Sequence, residues 1–183
     1  MPTIGFRMLR QEKTHWCWLA VTSAIANFYT PVSIWTQPKL MENFVRAPKY
    51  ARRFLKIFND PGNEGVSHSE RKGKSLNFPG AVEDGLRMVQ CFRERIQCPS
   101  EGVESDLKDR AAELFGRIKA EIDQNHPVAC GVRPKGSSGE GHAAVIVGYN
   151  GDVVIWKEPG KPDQERTSPS FYDFMVDMGG LIT

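Results

Sequence analysis

A single cysteine, Cys17, stands between two tryptophans in the run Gln11-Glu12-Lys13-Thr14-His15-Trp16-Cys17-Trp18-Leu19-Ala20. The run reads as a polar, extended lead-in that delivers the thiol to the first turn of an apolar helix. Trp18, Val21, Ile25 and Phe28 follow at offsets of three, seven and ten, with Ala20 and Ala24 on the flank. That is helical spacing, and so little charge follows Cys17 that the helix must be largely buried. At the helix start the outward-pointing N–H groups and the positive dipole end favour the thiolate, the reactive form of the side chain. By itself, a cysteine among Trp, Leu and Ala is most often inert core. A chemical role needs a proton acceptor elsewhere in the chain.

His142 fits that need. It stands where the Gly-rich run Pro134-Lys135-Gly136-Ser137-Ser138-Gly139-Glu140-Gly141 enters the apolar strand His142-Ala143-Ala144-Val145-Ile146-Val147-Gly148-Tyr149. A side chain there lies at a sheet rim beside a cleft. Asn150-Gly151 is the strongest hairpin signal in the chain and returns it into Asp152-Val153-Val154-Ile155-Trp156-Lys157-Glu158. Pairing Tyr149 with Asp152 and counting back sets Ala143 against Glu158, which makes Glu158 a neighbour of His142. A carboxylate beside an imidazole fixes its tautomer and stabilises its protonated form, completing a nucleophile, base and orienter.

The elements that position these residues are legible in outline. Thr30-Pro31 and Gln37-Pro38 break the first helix and open irregular chain. Residues 39–80 hold nine Lys or Arg against four acids, an excess expected to be a solvated face. Within it a helix is expected over 49–59, a turn at 60–63 and an exposed loop over 64–79 that carries His68. Val82, Leu86 and Val89 space a helix over 81–92, and Ser100-Glu101-Gly102 breaks the chain again. Leu107, Ala111, Leu114, Ile118 and Ile122 line one face of an amphipathic helix over 106–124. His126-Pro127 stops it, a strand over 127–132 follows, and residues 170–175 form a short helix or edge segment. Helices first and an antiparallel sheet last argue an α+β fold. One domain over 1–183 is expected, helical over about 11–125 and sheet-forming over about 126–183.

Composition narrows the function. The 183 residues suffice for a sizeable core and an internal cleft. A net charge of +2 gives no global field for nucleic acid. No apolar run approaches the roughly 20 residues a membrane-crossing helix needs. Residues 1–10 lack the apolar core of a cleavable signal peptide, so the expectation is a cytoplasmic protein or one secreted by another route. Of the four cysteines, Cys17 and Cys130 sit in apolar surroundings suited to free thiols, and only Cys91 and Cys98 are spaced to close a small loop. No C-x-x-C or H-x-x-x-H pair is present, and no metal is expected.

The segment Gln11 to Ala20 resembles the active-site entry of papain-like cysteine proteases, where a glutamine precedes Cys-Trp and the cysteine opens a long buried helix. Gly141-His142-Ala143-Ala144-Val145-Ile146-Val147-Gly148-Tyr149 is similar to their histidine strand. Trp16-Cys17-Trp18, the short chain and the helix-then-Pro-Val strand look most like the compact bacterial branch. That branch includes effector proteases delivered into host cells and relatives of leader-cleaving peptidases. The likeness covers residues 11–29 and 115–160 and leaves 30–105 unmatched. It implies a papain-like fold, with the nucleophile helix packed on the C-terminal sheet, and a cofactor-free cysteine endopeptidase acting on proteins or peptides. Carried over, it makes Cys17 the nucleophile, His142 the base and then the acid, and Gln11 an oxyanion donor beside the Cys17 N–H. Glu158 takes the orienting position, where the family has Asn or Asp, one methylene shorter. Asp152 and Asn150 are fallback orienters, Trp156 shares a strand face with Glu158, and His15 is read as an exposed bystander.

The same residues would serve a thiol deamidase, acyltransferase or isopeptidase, because only the acceptor and the leaving group differ. A catalytically inactive interaction module is the reading from another class. It gives no reason to keep Gln11, Cys17 and His142 together.

Overall fold

The computed structural model describes residues 1–32, 34–47, 80–97, 103–132, 141–178 and 181–182. The helix expected over 49–59, the turn at 60–63, the loop with His68, Cys98, the break at 100–102 and the Gly-rich run over 134–140 lie outside the described residues.

Helix α1 (Cys17–Tyr29) follows the apolar spacing of its sequence, and Trp18 to Ala26 are all buried. It lies against α2 (Gln37–Arg46), α3 (Val82–Met88) and the strand β3 (His142–Asn150). The approach to α3 is close because Gly85 carries no side chain. An added Cβ there would stand 2.2 Å from Thr22 Oγ1, whose hydroxyl donates to the Trp18 carbonyl at 2.8 Å. On α2, Phe44 meets the Trp18 ring edge-on at 5.0 Å between centroids.

Helix α2 corrects the expectation of irregular chain after Gln37-Pro38. Pro38 stands in its first turn, where a missing N–H breaks no helical bond, and the Thr36 hydroxyl caps it by accepting from the Lys39 N–H at 3.4 Å. Helix α3 is shorter than the 81–92 pattern suggested, ending before Gln90 at a φ of 60°. Helix α4 (Glu104–Asp123) buries Ala111, Phe115, Ile118 and Ile122, so Phe115 joins the covered face, with Leu114 partly buried against the core.

Besides β3, the strands are β1 (Ile96–Gln97), β2 (Val128–Val132), β4 (Val153–Lys157), β5 (Arg166–Ser168) and β6 (Leu181–Ile182). Among the described residues they form one six-stranded sheet in the order β1-β6-β2-β3-β4-β5, with every pairing antiparallel. β1 precedes α4, so the sheet does not come wholly from the C-terminal part. α5 (Phe171–Met178) packs on β4 and β5, and its Phe174 meets Trp156 at 5.7 Å. Unbroken burial from Ala143 to Gly148 means that both faces of β3 are covered.

The hairpin register differs from the count made on the sequence. The two-residue turn is Gly151-Asp152, not Asn150-Gly151: Asn150 pairs with Val153 and Tyr149 with Val154. Gly151, at a φ of +61°, supplies the left-handed first position that such a turn requires. A bulge follows. Gly148 faces Ile155, yet Ile146 faces Trp156, so Val147 is an extra residue on β3. The N-terminal segment closes over it: the Ile4 N–H donates to the Val147 carbonyl at 2.7 Å, and the Tyr149 N–H to the Pro2 carbonyl at 3.1 Å. Ile4, Phe6 and Met8 alternate into the core on the same segment.

Gly85→Ala should destabilise the protein by about 1–3 kcal/mol through overpacking against Thr22. Denaturant unfolding of Gly85→Ala, Thr22→Ala and the double variant checks this. The double variant should recover part of the loss, and strict additivity would remove the contact as the cause.

Candidate active site

The bulge decides which side chains meet. Beyond it the register runs Ile146↔Trp156 and Val145↔Lys157, and one further step sets Glu158 opposite Ala144. Ala144 is two positions from His142, on the same face of the pleat. Had the turn-proximal register Gly148↔Ile155 continued, Glu158 would oppose Val145 and point to the other face. The expected pairing of Ala143 with Glu158 is therefore off by one residue. The turn shift and the bulge partly cancel, and the two side chains still meet.

His142 Nε2 lies 3.2 Å from Glu158 Oε2, and the side chains keep 26% and 14% of their exposure. The contact fits a ring that donates from Nε2, which leaves Nδ1 with the lone pair. The other carboxylate oxygen, Oε1, contacts Arg166 Nη2 of β5. Arg166 pairs with Trp156 across the strands and holds its guanidinium 5.2 Å above that ring, while Trp156 Nε1 donates to Ser168 Oγ at 3.3 Å. Burial pushes the His142 pKa below its ordinary 6.5, Glu158 pulls it up, and the Arg166 charge pushes it down. The net direction is down, so the neutral imidazole, a base, is the form this environment favours.

Gln11 reaches the same end of the sheet. Its backbone N–H donates to the carbonyl of Pro159, the residue after Glu158, at 3.3 Å. Its side-chain Nε2 donates to the carbonyls of Lys13 at 3.2 Å and Thr14 at 2.9 Å, closing the turn ahead of Cys17. Gln11 Oε1 is buried and has no hydrogen-bond partner among the described residues. Cys17 opens α1, half-buried, six residues past this anchor. Contacts thus bring Gln11, Glu158 and His142 to one end of the sheet. Cys17 stands at the start of the helix that lies against the strand His142 opens.

The other candidates fall elsewhere. Asn150 and Asp152 flank the far end of the hairpin. His15 is half-buried, not fully exposed as expected. Cys91 is half-buried, and burial pushes its pKa up, while the buried Cys130 turns its Sγ to the Val128 carbonyl at 3.6 Å. Among the described residues, no group of three or more His, Cys, Asp or Glu is arranged to hold a metal ion.

Two residues near the site were missed on the sequence. Gln37 is 3% exposed; its Oε1 accepts from the Glu12 N–H at 3.0 Å and its Nε2 donates to the Arg10 carbonyl at 2.8 Å. It clamps the backbone on both sides of Gln11. A signal existed, because Gln37 shares the i, i+3, i+4, i+7 spacing of the buried Leu40, Met41 and Phe44. Arg166 had none: it lies on the next strand, with no local periodicity tying it to Glu158.

Helices on an antiparallel sheet, with a thiol at a buried helix start and a histidine–carboxylate pair at a strand end, make the α+β papain-like peptidase fold. The chain belongs to the Peptidase_C39 like family, whose family model matches residues 3–175. It is thereby a member of a cysteine peptidase family, for which the substrate is a protein or peptide. Comparison with curated proteins and with solved structures gives no match. No helix among the described residues is long and apolar enough to cross a membrane.

The folded chain disfavours protonated His142, so acidification through 6.5 charges the unfolded chain first and this group then subtracts from stability. Above 6.5 that loss is absent. NMR titration of His142 in a Cys17→Ala background should give a midpoint below 6.5. Glu158→Gln, which removes the group pulling the pKa up, should lower the midpoint further; an unchanged midpoint would mean that the two side chains do not interact in solution.

Proposed function

We propose that the protein is a cysteine endopeptidase in which Cys17 is the nucleophile, His142 the general base and acid, Glu158 the orienting carboxylate and Gln11 an oxyanion donor. The observation that carries this reading is the His142 Nε2–Glu158 Oε2 contact, which leaves Nδ1 as the ring nitrogen for the thiol. Family membership and the place of Cys17 at the start of α1 support it.

The chemistry follows from these roles. His142 Nδ1 takes the Cys17 proton, and the thiolate attacks the amide carbonyl carbon. The negative oxygen is held by the Cys17 N–H and the Gln11 amide. For Gln11 this means giving up the longer of its two bonds, the one to Lys13. Nδ1 then passes its proton to the departing amine and the C–N bond breaks, leaving a thioester. Water loses a proton to Nδ1 and its oxygen adds to the thioester carbonyl carbon; the C–S bond breaks, the acid leaves, and the Cys17 sulfur takes the proton back from Nδ1. The side chain of Glu158 keeps the ring facing the thiol throughout.

An epoxysuccinyl thiol probe followed by mass spectrometry tests the reading. Cys17 should be modified fast and Cys91 slowly, since burial pushes the Cys91 thiol up. His142→Ala should abolish the selectivity. If Cys17 reacts no faster than Cys91, the thiol is not activated and the peptidase reading falls. With a cleaved peptide in hand, Cys17→Ala and His142→Ala should each lower kcat by at least about ten thousandfold, and Gln11→Ala by about a hundredfold. Delivery into a host cell rests on the bacterial resemblance alone; a translocation reporter fused to the chain that stays in the producing cell rejects it.

A further inference from the structure

Glu158 is longer than the Asn or Asp that the resemblance puts in its place, and it lies one residue past the end of β4. A free glutamate there has rotamers that leave His142 for solvent, at a cost in side-chain order. In this protein the carboxylate is held at both oxygens. Oε2 contacts His142 on β3 and Oε1 contacts Arg166 on β5, so the carboxylate bridges from one strand neighbour of β4 to the other. Arg166 is itself fixed by register opposite Trp156 and by lying over that ring. Trp156 is 5% exposed and is bonded to Ser168 on the same strand as Arg166. The neighbouring Lys157–Glu165 pair is separate: its lysine is held by the Phe6 carbonyl at 3.0 Å and by Glu165 at 3.4 Å, and it competes for neither partner.

We propose that Arg166 is a positioning residue that enables the long carboxylate of Glu158 to orient His142. Glu158 and Arg166 act as one unit in place of a shorter orienting side chain. Glutamate supplies the reach from beyond the strand end to both partners, and the guanidinium, planar and supported by Trp156, removes the rotational freedom that the extra methylene adds. The proposal deepens the peptidase reading and rests on the role given there to His142.

The test has two readouts, one independent of activity. In ¹⁵N-histidine-labelled Cys17→Ala protein, the His142 Nε2–H bonded to Glu158 should give a downfield, slowly exchanging resonance. Adding Arg166→Gln should broaden or remove it with thermal unfolding little changed, and Arg166→Lys should restore it in part. In the enzyme, Arg166→Gln should lower kcat about tenfold to a hundredfold, the scale of a misplaced catalytic group, with KM altered less than about twofold. Glu158→Asp should lose a similar factor, and the double variant no more than either single one, because each change breaks the same unit. An unchanged resonance and unchanged kcat in Arg166→Gln would reduce the pair to an ordinary surface ion pair and overturn the proposal. Failure of the peptidase reading looks different: Cys17 is then not activated, while the resonance still reports on Arg166.

Discussion

Side chains on a strand can meet across a sheet only if the pleat sends them to one face, and one extra residue reverses that face. Here Val147 is that residue. It turns a register that would send Glu158 away from His142 into one that brings the carboxylate to the ring. The bulge in turn needs a partner for its displaced backbone, and the N-terminal segment provides it through Ile4 and Pro2. Gly148 accommodates the close approach, since an added Cβ would lie 2.8 Å from the Pro2 carbonyl oxygen. The first residues of the chain and the far end of the sheet thus fix the His142–Glu158 geometry together.

The same N-terminal segment carries the lead-in to Cys17, which couples core packing to the site. Ile4, Phe6 and Met8 bury its first part, and the Phe6 carbonyl accepts from Lys157 beside Glu158. Gln37 then clamps Arg10 and Glu12, the Gln11 N–H meets Pro159, and the Gln11 amide closes the turn before the helix. A loop with this many backbone partners is held more like a strand than a connector. The thiol enters α1 from a pinned chain, so its position follows from core contacts several residues away.

Electrostatically the site is a balance. Burial and Arg166 disfavour the imidazolium and Glu158 favours it, with burial the largest influence. A base held neutral near physiological pH suits proton abstraction from a thiol, and the nearby carboxylate steadies the charge once the proton arrives. Arg166 moderates that attraction and also holds its source in place.

Much of this was written locally in the chain. The buried helix after Cys17, the hairpin around Gly151, the strand begun by His142 and the α+β order all follow from apolar spacing and turn residues, which act over a few neighbours. The pairing of His142 with Glu158 was also legible, through a count whose turn error the bulge partly offset. The sequence alone determined which residue types the proposed site draws on: one thiol at a helix start, one imidazole at a strand start, one carboxylate on the returning strand. Tertiary structure alone decided how they are held. The bulge depends on a segment more than 140 positions away in the chain, Gln37 reaches Gln11 from another helix, and Arg166 reaches Glu158 from the next strand. Such contacts leave no periodic trace, because periodicity records only which face of an element is buried, not what lies across from it.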